Sequence, residues 1–254
     1  MTEKYYSKIV FLCYRRLNRW EKSIIMNTVK FNYYEVWYEK RQYQILIPKN
    51  YSQFWVHQRL WTGNGFYPEI ELSANRKGLE ELRNACAVLA GSDNVVVYFP
   101  CKQNKIPSAF FEHDEKYYPD ACKYLEMVLL KPNTLKISDW KEIRKRISKM
   151  KARERIYHFE SDFKDMQTPE KYEYCESAAK QSFGYDTVFY NIPRHEYPSI
   201  AAWVEKFLER DLEKNFCNSS FDSDCVLFYC GGGLEVDMLF WDEDIYAEVK
   251  EKMG

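Results

Sequence analysis

A chain of 254 residues with 46% hydrophobic and 17% aromatic side chains can bury a sizeable core, and its 9 Gly and 9 Pro exclude collagen-like or low-complexity architecture. The formal net charge of −1 conceals a strong segregation. Residues 1–60 carry 11 Lys and Arg against 4 Asp and Glu, residues 136–155 carry 9 against 3, and residues 156–254 carry 9 against 21. Such a polarised chain packs its two ends on each other, solvates its helix faces with acids, or presents an acidic surface that steers a basic partner.

Near the start, the apolar run Ile9 to Cys13 is followed by Arg15 and Arg16. It is shorter than the roughly 7–15 residues of a secretory core or the roughly 20 of a spanning helix, so the expectation is a cytoplasmic protein without a membrane segment. Residues 29–39 and 43–47 alternate and are rich in aromatic and β-branched side chains, which predicts a hairpin across Lys40-Arg41-Gln42. Strand character continues through Phe54-Trp55-Val56, a turn is expected at Gly63-Asn64-Gly65, and a short strand over Pro68 to Leu72. Leu79, Leu82, Cys86 and Leu89 recur at helical spacing, predicting a helix over 76–90 that stops at Gly91-Ser92-Asp93.

Val95 to Phe99 reads as a buried strand ended by Pro100, and Tyr124 to Leu130 as another. Ser138-Asp139 is expected to cap a helix to about Lys151, followed by a strand over Ile156 to Phe159. The basic stretch from Lys141 to Arg155 lacks interleaved aromatics, which favours a solvated helix face over a phosphate contact. Thr168-Pro169 predicts a helix to about Ser182. The fullest apolar stripe runs from Ile200 through Trp203, Val204, Phe207, Leu208 and Leu212 to Phe216, with Glu205, Glu209, Asp211 and Glu213 opposite. A closing hairpin is expected from Cys225–Cys230, Gly231-Gly232-Gly233 and Leu234–Phe240, then a short terminal helix opened by Asp242-Glu243-Asp244.

Eight cysteines are spread singly, none in a CxxC pair, so they are expected to be reduced and structural, without zinc. Glu235 and Asp237 beside the glycines superficially resemble a nucleotidyltransferase site, but two intervening residues leave no room for the helix that such a site needs between glycine turn and acids. Cys217 or Cys225 with His195, and Cys101 with His113, sit in no recognisable nucleophile motif. P-loop, GxGxxG, HExxH and GxSxG motifs are absent. The aromatic group Tyr33, Tyr34, Trp37, Tyr38, Phe54, Trp55, Trp61 and Phe66 suits a core or, with His57, Gln58 and Arg59, a recognition surface.

The stretch Glu69-Ile70-Glu71-Leu72-Ser73-Ala74-Asn75-Arg76-Lys77-Gly78-Leu79-Glu80-Glu81-Leu82, with Leu89-Ala90 at the helix end, resembles a pattern of bacterial polymorphic-toxin immunity proteins over residues 68–131. There a strand leads into N-x-x-G-L-x-x-L on a helix and then two further strands. The pattern commonly has a His near the second of these strands, where this chain has only the more distant His113. The resemblance implies a non-enzymatic inhibitor of a cognate toxin.

The combined expectation is an α+β fold, a mostly antiparallel sheet with helices packed on it. It is read either as two similar-sized halves, an aromatic-rich 1–135 and an acidic 136–254, or as one domain. The function expected is a protein-binding antitoxin that neutralises a basic partner, such as a nuclease toxin domain. It would act without cofactor, metal or nucleic acid, through Glu205, Glu209, Asp211, Glu213, Asp222, Asp224, Glu235, Asp237 and Asp242. The alternatives are a metal-dependent nuclease or phosphoryl-transfer enzyme using the acids of the C-terminal hairpin, and a structural or regulatory component of a mobile-element or defence system.

Overall fold

The protein is described by a computed structural model over residues 26–59, 70–104, 122–160, 180–184, 186–208 and 236–241. Strands β1 (Met26–Tyr38) and β2 (Arg41–Pro48) form the expected hairpin, with Tyr38 opposite Arg41. The turn is tighter than the sequence suggests. Glu39 and Lys40 alone close it, at φ 45° and 63°, the left-handed conformation that matches hairpin twist. β3 (Phe54–Arg59), β4 (Ile70–Asn75), helix α1 (Arg76–Gly91), β5 (Val95–Phe99) and β6 (Cys122–Leu130) then follow in the expected order.

Beyond β6 the expectations need correcting. The helix after Ser138-Asp139 is short: α2 spans Trp140–Ile147, preceded by a 3-10 turn over Ile137–Asp139. Asp139 makes no capping bond with its side chain; its Oδ2 instead accepts a 2.7 Å hydrogen bond from the Tyr43 hydroxyl. Part of the basic stretch is therefore not helical, because β7 (Arg153–Glu160) already begins there, pairing with the first half of β1. Residues 180–182, expected as the end of a helix, belong to strand β8 (Lys180–Gly184). β9 (Thr187–Asn191) was not expected, and helix α3 follows over Tyr197–Leu208. β10 (Val236–Trp241) lies parallel to β4; its expected hairpin partner, Cys225–Cys230, and the turn at 63–65 lie outside the described residues.

The ten described strands make one open sheet in the order β10-β4-β3-β6-β5-β2-β1-β7, with β9 also pairing with β6 and β8 with β9. Six of the nine pairings are antiparallel; β10–β4, β2–β5 and β6–β9 are parallel. Strands from both sides of residue 135 share this sheet, since β7 lies on β1, β9 on β6 and β10 on β4.

Helices cover both faces, which explains why the central strands read as unbroken apolar runs. Val95, Val97 and Phe99 of β5 point to one face, with Val188 and Tyr190 of β9, and meet Leu79, Leu82, Cys86 and Leu89 of α1 and Ile200, Ala201 and Val204 of α3. Val96 and Tyr98, with Ile45, Ile47 and Phe189, point the other way and meet Trp140, Ile143 and Ile147 of α2. The Trp140 ring stands edge-on to Tyr98 and Phe189.

Candidate functional site

α1 and α3 share one face of the sheet and cap each other. A helix leaves its last carbonyls without partners, and arginines supply them here. Arg194, just before α3, donates from Nε to Ala90 O at 2.7 Å and from Nη1 to Asp93 Oδ1 at 3.1 Å, closing the end of α1. Arg76, the first residue of α1, donates to Leu208 O at 2.8 Å. Midway between them Arg83 Nη1 meets Glu205 Oε2 at 2.6 Å, with only 17% and 21% of the two side chains exposed. Glu205, one of the nine acids expected to face a partner, is thus engaged in the α1–α3 seam.

The other eight acids divide simply. Asp237 lies on β10, the edge strand of the described sheet, in register with Glu71 of the neighbouring β4. Glu209, Asp211, Glu213, Asp222, Asp224, Glu235 and Asp242 lie outside the described residues. Among the described residues no three His, Cys, Asp or Glu side chains gather to hold a metal ion, and no helix is long and apolar enough to cross a membrane.

A charged constellation that the sequence reading missed lies under α2. Glu126, a lone acid within the apolar strand β6, is only 12% exposed and accepts from Arg144 Nη1 at 2.7 Å. Thr187 Oγ1 donates to the same Glu126 oxygen at 3.2 Å and receives the Trp140 indole N–H at 3.2 Å. Burial, then the Glu126 carboxylate, pushes the Tyr98 phenol far above its usual range. At the rim Asp186 is bridged by Lys102 and, at 3.6 Å, by Lys123, and the Lys102 bond chiefly holds its carboxyl below the usual range. A charge in an otherwise apolar strand was the available signal, because such a group needs a partner once buried. Its carboxylate is met by donors on two other elements, which is the chemistry of a positioning network that locks α2 and β9 to β6.

The basic stretch is partly spent within the fold. Arg144 serves Glu126, Arg146 donates to Trp37 O at 2.7 Å and lies over the Tyr38 ring, and Arg155 lies over Tyr33 and Tyr157. Of the aromatic group, Tyr33, Phe54 and Trp55 are core, whereas Trp37 stands 58% exposed; Trp61 and Phe66 lie outside the described residues. Cys86 and Cys101 are free, fully buried thiols whose pKa burial pushes far up, so they behave as small hydrophobes. Cys101 is also no nucleophile in waiting, since its thiol points to Leu125 O at 3.5 Å. No protein-family model, curated protein or solved structure gives a significant match to this chain.

Proposed function

We propose that this chain is a non-enzymatic, cytoplasmic inhibitor of the immunity-protein kind, which neutralises a basic protein partner such as a nuclease toxin through the acidic surface of its last third. The observation that carries the reading is the charge segregation, 21 acids against 9 bases over residues 156–254. An acidic inhibitor gains association rate and specificity against a phosphate-binding, basic cleft, because opposite fields pre-orient the encounter. Two features support it. β4, α1, β5 and β6 follow one another as the immunity-protein resemblance implies, and Asp237 on the edge strand is in register with Glu71 of its neighbour. With Glu205 engaged by Arg83, the partner-facing set proposed is Glu209, Asp211, Glu213, Asp222, Asp224, Glu235, Asp237 and Asp242.

The test is affinity capture from the native host at about 50 mM and about 500 mM salt, a range over which exposed charge pairs are progressively screened. One stoichiometric basic protein, held at low salt and weakened at high salt, is the expected result. A bait that captures nothing at either salt refutes the reading. With a partner in hand, reversing Asp211 and Glu213 to Lys should slow association about tenfold and flatten its salt dependence. An unchanged rate and salt slope would remove that cluster from the interface.

A further inference from the structure

A cleft of about 730 Å³ opens at one end of the central strands. The topology explains why it forms. β2 and β5 both start at this end, and β6 and β9 both finish there. β6 continues into α2 on one face of the sheet, whereas β9 continues into α3, and β5 arrives from α1, on the other. Neighbouring strands whose connections leave toward opposite faces hold a crevice open between them, as at the switch points of open α/β sheets.

The side chains lining it are mostly polar, two are cationic, and two asparagines sit on constrained backbone. Arg41 and Lys136 both reach it and both are exposed; Arg41 hydrogen-bonds the Tyr43 side chain, neither has an ion-pair partner among the described residues, and no carboxylate lines the cleft. Asn94 and Asn133 line it at φ 57° and 66°, where a short carboxamide side chain is best tolerated after glycine. Asn133 is fixed further by the turn Lys131-Pro132-Asn133-Thr134, closed by Thr134 N–H to Lys131 O at 3.2 Å. Tyr43 forms part of the wall, its hydroxyl tied to Asp139. The last lining residue of β9, Asn191, holds its side-chain Oδ1 out of water without a hydrogen-bond partner.

We propose that this cleft binds a small organic anion that also carries hydroxyl groups, with Arg41 and Lys136 taking the charged group and the polar lining formed by Gln42, Asn94, Asn133 and Thr134 meeting the hydroxyls. Phosphorylated and carboxylated polyhydroxyl compounds share this chemistry, and the volume lies within the range of ordinary small-molecule sites. The site would give the protein a ligand-dependent state.

Calorimetric titration of the full chain at low salt with ribose 5-phosphate, AMP, gluconate, inorganic phosphate and uncharged ribose tests this. The expected result is saturable binding of ribose 5-phosphate, AMP or gluconate, at least tenfold tighter than phosphate, and none of ribose. Binding led by gluconate assigns a carboxylate and binding led by the other two a phosphate. Lys136→Gln changes an exposed side chain and should weaken binding tenfold or more with circular dichroism and melting unchanged, and Arg41→Gln should weaken it as much, its melting being read separately because Arg41 also hydrogen-bonds Tyr43. Silence toward all three organic anions overturns the proposal. So does phosphate binding as tight as the best of them, or affinity indifferent to both substitutions.

Discussion

Glu205 is where the sequence and the structure assign different work to one side chain, and a double-mutant cycle with Arg83 decides between them. The N–O distance of 2.6 Å and side-chain exposures of 17% and 21% put the pair between an exposed ion pair, worth up to about 1 kcal/mol, and a buried one, whose disruption costs about 3–5. Glu205→Ala should therefore destabilise by about 1.5–2.5 kcal/mol, leaving a largely desolvated guanidinium behind. Arg83→Ala should cost more, because Arg83 also donates to Asn84 Oδ1 from Nε at 3.3 Å and from Nη2 at 3.1 Å. The double variant should fall short of the sum of the two by about 1–1.5 kcal/mol, the coupling expected of residues in direct contact. Urea unfolding of the four proteins reads these differences, and melting should drop by about 2–4 °C per kcal/mol in a chain of this size. Additivity within about 0.3 kcal/mol would refute the reasoning and return Glu205 to the partner-facing acids.

Arg194→Ala should destabilise by about 1–2 kcal/mol in the same assay, since it uncovers the Ala90 carbonyl at the end of α1. Lys40→Gly should raise stability by about 1 kcal/mol, because a lysine at φ 63° bears a steric cost that glycine does not; no gain would mean the turn is relaxed as it stands. Tyr43→Phe should cost about 1–3 kcal/mol by stripping Oδ2 of the buried Asp139 of its donor, Ser138 Oγ remaining on Oδ1. Burial, with Asp139 next, pushes the Tyr43 phenol up to about 12, so its contribution is whole below the ordinary value of 10.0 and lost as pH rises toward 12. Melting curves of wild type and Tyr43→Phe should therefore converge over that window. Glu81 is buried, accepts from Asn50 N and Nδ2 through Oε1 and leaves Oε2 unpartnered, and burial raises its pKa above 4.5. The charged form is the one that burial penalises, so stability should fall as pH rises from 4.5 through the raised value. Glu81→Gln should flatten that dependence, and an unchanged slope in urea unfolding across pH 4–8 would show that another group controls it.

Local chemistry was enough to locate much of the fold. The alternation of residues 29–47, the spacing of Leu79, Leu82, Cys86 and Leu89, and the Gly91 stop each act within one element, and the hairpin and α1 stand where those patterns put them. Val95–Phe99 was legible as buried for a related reason, since a strand covered on both faces must be apolar at every position. The run Thr187-Val188-Phe189-Tyr190 carried the same signal and was passed over, because its identity as a strand rests on β6 as a parallel neighbour far away in sequence. Asp139 shows the reverse case. By sequence it is a capping residue, but the Tyr43 hydroxyl, 96 positions earlier, offers its carboxylate a stronger claim, and the helix after it ends at Ile147.

Function divides along the same line. The sequence by itself determined composition, the charge segregation and the β4–α1 motif, because these are properties of order along the chain. Only the tertiary structure decided that Glu205 belongs to Arg83, that Glu126 is held by Arg144 and Thr187, and that Arg41, Lys136 and Asn191 share one cleft. The two ion pairs join elements more than fifteen residues apart, and the free energy that selects them comes from burying a charge beside its complement, which no local pattern encodes.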